Sequence, residues 1–182
     1  MYAFFHILIG LLIGIGLSNY SPKKGLIPIC MLVSILPDII DKPLAYLSAE
    51  LSSGRTVSHT LLFIGIVTLV LWYLLSKDNR VFVVGISASL LIHQIIDRMW
   101  LTPTTWYYPA LGPFQMEPGK TGDWLLWLFQ NEIGSPVEWV SAGIIVVILL
   151  YMHSTKDKAT DLKVKNNQSL WQVLVYWLRG ES

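Results

Sequence analysis

Five long apolar stretches separated by shorter polar ones set the pattern of the chain. Ala3 to Leu17 is apolar except for His6, and its Gly10, Gly14 and Gly16 are small packing residues. Gly25 to Ile40 is short and carries Pro28. Val57 to Leu75 and Val81 to Leu101 are full length, and Pro136 to Met152 is the fifth. A bilayer-crossing helix takes ~20 mostly apolar residues, and shorter ones fit within a bundle. The pattern therefore predicts an all-α integral membrane helical bundle of about five transmembrane helices, the second one short. No small-residue cleavage site follows the first run, so it reads as a retained helix and not a signal peptide.

Two flanking pieces read as interfacial. In Ser169 to Arg179, Leu170, Trp171, Leu174, Trp177 and Leu178 recur at helical spacing on one face, with Ser169 placed to cap the helix. Gly122 to Asn131, with Trp124, Trp127 and Phe129, has the same character. The expected division is a transmembrane domain over residues 1–153, a charged cytoplasmic linker over 154–168 and an amphipathic C-terminal helix over 169–182. The aromatics of these pieces equally suit a belt at the membrane–water boundary.

Composition narrows the class. Of 182 residues, 53% are apolar and 14% charged, against ~25% charged in ordinary soluble domains. That is too few charges to wet a globular surface. The formal net charge of +1 leaves no basic excess for nucleic acid. A single cysteine, Cys30, excludes an internal disulfide framework and any CxxC zinc or redox site.

Lysine and arginine set the orientation. Lys23, Lys24, Lys77, Arg80, Lys156, Lys158, Lys163, Lys165 and Arg179 fall on one set of connections, and Lys42, Arg55, Arg98 and Lys120 on the other. Cytoplasmic loops carry the excess. The reading is a multi-pass protein of the cell membrane, N-terminus outside, C-terminus cytoplasmic, with connections 41–56 and 102–135 facing outward.

Ionisable groups at membrane depth are expensive, and they either pair or work. With that orientation His6, Asp38, Asp41, His59, His93, Asp97 and Glu138 all fall near one depth, toward the outside. His93 and Asp97, four residues apart, share a helix face. Imidazole nitrogens with carboxylate oxygens suit zinc first, then manganese or iron, and without thiolates a site with an open position is favoured over a closed structural one. Such an ion activates water and polarises an ester or phosphoryl oxygen. Arg55, four residues before His59, would grip a phosphate or carboxylate. Singly, each residue has a plainer use: His6 as an interhelical hydrogen-bonder, Asp38 as a helix terminator, Asp97 as a partner of Arg55 or Arg98, and Glu138 as a charge at a helix start. Their coincidence in depth favours a shared site.

With these residues in place, the chain resembles the YdjM-like family, described as LexA-regulated, membrane-bound metal-dependent hydrolases. The resemblance rests on His6, on Leu36-Pro37-Asp38-Ile39-Ile40-Asp41, on Arg55-Thr56-Val57-Ser58-His59-Thr60, on His93-Gln94-Ile95-Ile96-Asp97 and on Thr102-Pro103. It runs over roughly residues 1–115. Gly54 stands where that family has the first histidine of a His-Arg-Gly stretch, and Asp41 is one residue later than its second aspartate. The order of histidines and aspartates is also similar to zinc-dependent phospholipase C, although the later histidine ligands of those enzymes have no counterpart here.

The resemblance implies one or two divalent ions. His6, Asp38, His59, His93 and Asp97 are the expected ligands, Asp41 or Glu138 the general base, and Arg55 the anchor for the substrate's anionic group. The substrate expected is a lipid or lipid-linked phosphoester taken from the outer leaflet, past an aromatic connection that holds Trp100, Trp106, Tyr107, Tyr108 and Phe114. Two rivals stand beside this reading: an ion-binding transporter or channel using the same cluster, and a non-catalytic membrane interaction protein glued by polar pairs. The apolar stretches Leu69–Leu75 and Ile144–Leu150 argue against a conduit, which needs polar groups across the bilayer.

Overall fold

The computed structural model describes residues 2–47, 53–114, 130 and 133–163. The expected C-terminal amphipathic helix, Lys120, and all of Gly122–Asn131 except Gln130 lie outside the described residues. Those described are helical, with no strand among them. The α-helices are α1 (Ala3–Ser18), α2 (Leu26–Val33), α3 (Leu36–Leu47), α4 (Leu61–Leu74), α5 (Arg80–Ile96), α6 (Pro103–Trp106) and α7 (Pro136–Lys163), with single 3₁₀ turns at Val57–His59, Lys77–Asn79 and Met99–Leu101.

Two stretches, Lys77–Ile96 and Pro136–Thr155, are long and apolar enough to cross a membrane; α1 and α4 are shorter apolar helices. The expected second crossing is not one helix. It breaks at Ser34–Ile35 into α2 and α3, where Pro37, the second residue of α3, has no amide to donate back to the Val33 carbonyl. α3 then runs on to Leu47, through residues expected to be a loop. In the same way α7 continues to Lys163, into the stretch expected to be a linker.

Glycine sets how closely the helices approach. A β-carbon on Gly10 would fall 2.5 Å from the Cys30 carbonyl oxygen, one on Gly14 would fall 2.7 Å from Ile27 Cα, and one on Gly85 would fall 2.8 Å from Cys30 Sγ. α1, α2 and α5 therefore close around Cys30 at a separation that no larger side chain allows. These pairings also make α1 and α2 antiparallel. Thr68 on α4 hydrogen-bonds Ser87 on α5 at 2.6 Å, while Leu8 and Leu11 of α1 pack on Ile145 of α7. With Glu138 against the start of α1, the helices α1, α2, α4, α5 and α7 alternate in direction. The breaks and turns that carry polar residues consequently gather at one end.

Candidate metal centre

The core of that end is built on the turn before α4. Asp41, one helical turn beyond the start of α3, is fully buried. It accepts hydrogen bonds from the backbone amides of Thr56 (2.6 Å) and Ser58 (3.1 Å), and from His59 Nδ1 (2.7 Å). Ser58 Oγ donates to the Pro37 carbonyl at 2.9 Å, and Thr60 caps α4 by accepting from the Phe63 amide. One carboxylate thus folds the 3₁₀ turn and orients its histidine.

α5 supplies the second histidine. His93 Nδ1 lies 2.7 Å from the Ser34 carbonyl oxygen at the break between α2 and α3. Carbonyl and carboxylate oxygens only accept, so both His59 and His93 carry a proton on Nδ1, and each neutral ring presents a bare Nε2 lone pair. Those two Nε2 atoms face each other at 3.2 Å. Two lone pairs at that distance repel unless a proton or a cation sits between them. Asp38 and Asp97 complete the set: His59 Nε2 is 4.0 Å from Asp38 Oδ1 and 3.7 Å from Asp97 Oδ2, and His93 Nε2 is 3.9 Å from Asp38 Oδ2. Asp38 Oδ2 is buried with no hydrogen-bond partner.

One donor atom from each of Asp38, His59, His93 and Asp97 falls within 4.8 Å of all the others, so the group could hold a metal ion. With bonds of ~2.0–2.1 Å, tetrahedral ligands sit about 3.3 Å apart. The imidazole pair is close to that spacing already at 3.2 Å, and the carboxylate oxygens lie 3.7–4.0 Å from the imidazole nitrogens. The donor set fits a divalent ion, and the orphaned Asp38 oxygen and the opposed lone pairs are groups such an ion would satisfy.

The other expected residues take distinct places. His6 donates from Nε2 to Asp97 Oδ1 at 3.1 Å and stacks on His93 with ring centroids 4.2 Å apart, while its Nδ1 is buried without a partner. Arg55 reaches Asp97 Oδ2 at 3.5 Å, and Lys42 reaches Asp38 Oδ1 at 3.2 Å. Glu138 departs from expectation. Its Oε2 and Oε1 accept from the Phe4 and Phe5 amides at 2.8 and 3.4 Å, so this carboxylate closes the otherwise unsatisfied start of α1. Asp41 departs too, since its oxygens are taken up by the turn and by His59.

Sequence reasoning passed over Gln94 and Ser34. Gln94 is fully buried; its Nε2 donates to the Ser58 and Thr60 carbonyls at 3.1 and 3.2 Å, and its Oε1 accepts from Trp106 Nε1 at 2.7 Å. It pins the turn bearing His59 to α5 and α6. A buried glutamine beside His93 in an apolar run was the available signal. Ser34 acts through its backbone, and no side-chain pattern announces that.

A family model described as YdjM inner membrane protein matches residues 1–160. Comparison with curated proteins and comparison with solved structures each give no match. The chain belongs to the YdjM inner membrane protein family, and a lipid bilayer is its environment.

Proposed function

From that membership we propose that the protein is a membrane-embedded metal-dependent hydrolase acting on a lipid or lipid-linked phosphoester at the outer leaflet. The observation that carries the reading is the opposition of His59 Nε2 and His93 Nε2 at 3.2 Å, with both Nδ1 protons already committed. His59, His93, Asp38 and Asp97 would hold the ion, zinc before manganese or iron by donor type. When bound, a divalent cation supplies Lewis-acid activation of water and of the ester oxygen.

The remaining residues prepare this set. Asp41 and the Ser34 carbonyl fix the two imidazoles in the tautomer that leaves Nε2 free, as outer partners of metal-ligating histidines do. His6 orients Asp97 through its Oδ1. Arg55, 40% exposed along its side chain, is the group best placed to meet an anionic substrate. We infer five crossings that alternate in direction, the second interrupted at Ser34–Ile35, with the site end outward as the lysine and arginine counts require. Ile39, Val57, Trp100 and Leu101 are exposed near the site, which suits a substrate arriving sideways from the lipid.

The test is elemental analysis of purified protein together with a chelator-controlled assay on phospholipid in nanodiscs. Stoichiometric zinc, manganese or iron, lost with His59→Ala, and chelator-sensitive release of a water-soluble product are expected. Metal-free protein whose stability is indifferent to chelator would overturn the reading.

A further inference from the structure

Two cations flank the four-donor set, and both lean on carboxylates within it. Lys42 Nζ is 3.2 Å from Asp38 Oδ1, and Arg55 Nη2 is 3.5 Å from Asp97 Oδ2. They arrive from separate elements, Lys42 from α3 and Arg55 from the connection before the turn bearing His59. Both keep some solvent access, at 17% and 40% of their side chains, while the two carboxylates are almost entirely enclosed. An ammonium and a guanidinium at the rim of a buried site can turn outward, toward a ligand, without rebuilding the interior.

We propose that Lys42 and Arg55 form a two-cation clamp for a phosphate anion, and that this clamp is released by metal binding. The proposal rests on the metal-centre reading above and adds a coupling to it. A divalent ion and these cations compete for the same carboxylate charge: as Asp38 and Asp97 turn to the metal, their hold on Lys42 and Arg55 weakens. The charges give the direction. A divalent ion brings two positive charges to the site and takes up carboxylate charge that Lys42 and Arg55 otherwise meet. The site holding an ion is therefore more favourable to a phosphate anion than the site without one. Anion and metal should therefore bind with positive cooperativity, and by linkage each raises the other's affinity by the same factor.

The experiment titrates Co²⁺ into full-length protein and follows cobalt absorption, a readout that needs no turnover. One arm adds inorganic phosphate to protein in detergent; a second compares nanodiscs of phosphatidylcholine with and without phosphatidic acid. Either anion should tighten Co²⁺ binding at least about fivefold, the lower end of typical coupling between sites. A response to inorganic phosphate assigns a free-phosphate ligand to the clamp, and a response confined to phosphatidic acid assigns a lipid headgroup.

The variant Lys42→Gln with Arg55→Gln makes the sign decisive. Removing competitors for Asp38 and Asp97 should leave Co²⁺ binding without anion as tight as in the wild type, or tighter, while the anion response disappears. Were the two ion pairs merely structural, the variant would bind Co²⁺ more weakly. Wild-type Co²⁺ affinity that ignores both anions, or a variant that still responds, overturns the clamp and leaves the metal centre standing. Wild-type protein that binds no Co²⁺ overturns both.

Discussion

The interior seam where α1, α2, α3 and α5 meet the turn before α4, and the outward faces of α4 and α7, reverse the usual order of a soluble protein. Along the seam, fully buried positions include His6, Asp41, Thr56, Ser58, His59, His93 and Gln94. On the outward faces Leu69, Tyr73, Leu74, Val147 and Leu150 are among the most exposed side chains, Tyr73 at 89%. A soluble domain rarely leaves so much contiguous apolar surface uncovered. In hydrocarbon the same surface costs nothing, and polar groups are tolerated only where they meet one another. The difference teaches which contacts hold this fold: with lipid as apolar as leucine, close glycine packing and hydrogen bonds carry specificity along the seam.

The largest effect should come from breaking the seam at Asp41. Asp41→Asn leaves one side of the turn able to accept but weakens the grip on the His59 Nδ1 proton. Metal affinity should fall by about 10–100-fold, the range for losing an outer partner of a metal-ligating histidine, while helix content by circular dichroism is retained. Unchanged affinity in a metal titration would remove Asp41 from the centre.

Paired glycine substitutions sharpen the comparison next. Gly10→Ala drives a methyl group into the Cys30 carbonyl and should cost about 1–3 kcal/mol in an unfolding titration, as overpacking does. Gly65→Ala, on the outward side of α4 with nothing within 4 Å of the added carbon, should be neutral or gain up to ~1 kcal/mol from better helix propensity. Equal effects at the two positions would break the distinction between seam and outward face. The smallest change expected is Glu138→Gln, which removes charge from the start of α1. A loss of about 1 kcal/mol or less, with metal affinity unchanged, would mark Glu138 as a cap.

Much of this was legible in the sequence because membrane burial writes itself in runs. The apolar stretches gave α1, α4, α5 and α7 to within a few residues at most ends; the polar interruptions put His6, Asp38, Asp41, His59, His93, Asp97 and Glu138 at one depth, and of these Asp38, His59, His93 and Asp97 bring donor atoms within 4.8 Å of one another. The break inside the short second run was not read, because Pro28 and Pro37 sit in an apolar run, and hydropathy is blind to whether a proline begins a helix or ends one. Glu138 and Asp41 were read by depth and by resemblance. Depth does not say whether a carboxylate faces a cavity or a row of backbone amides, and here both face amides.

The two imidazoles at the heart of the site differ in how they can be tampered with. Replacing Asp41 strips His59 of its supporting acceptor, but no replacement side chain strips His93 of the peptide oxygen of residue 34. That anchorage is indifferent to the side chain at position 34 and answers only to the path of the main chain. An engineer wishing to retune this nitrogen would have to shift the proline-made discontinuity itself, by replacing Pro37 or by insertion or deletion, and random drift in codons for Ser34 leaves it intact.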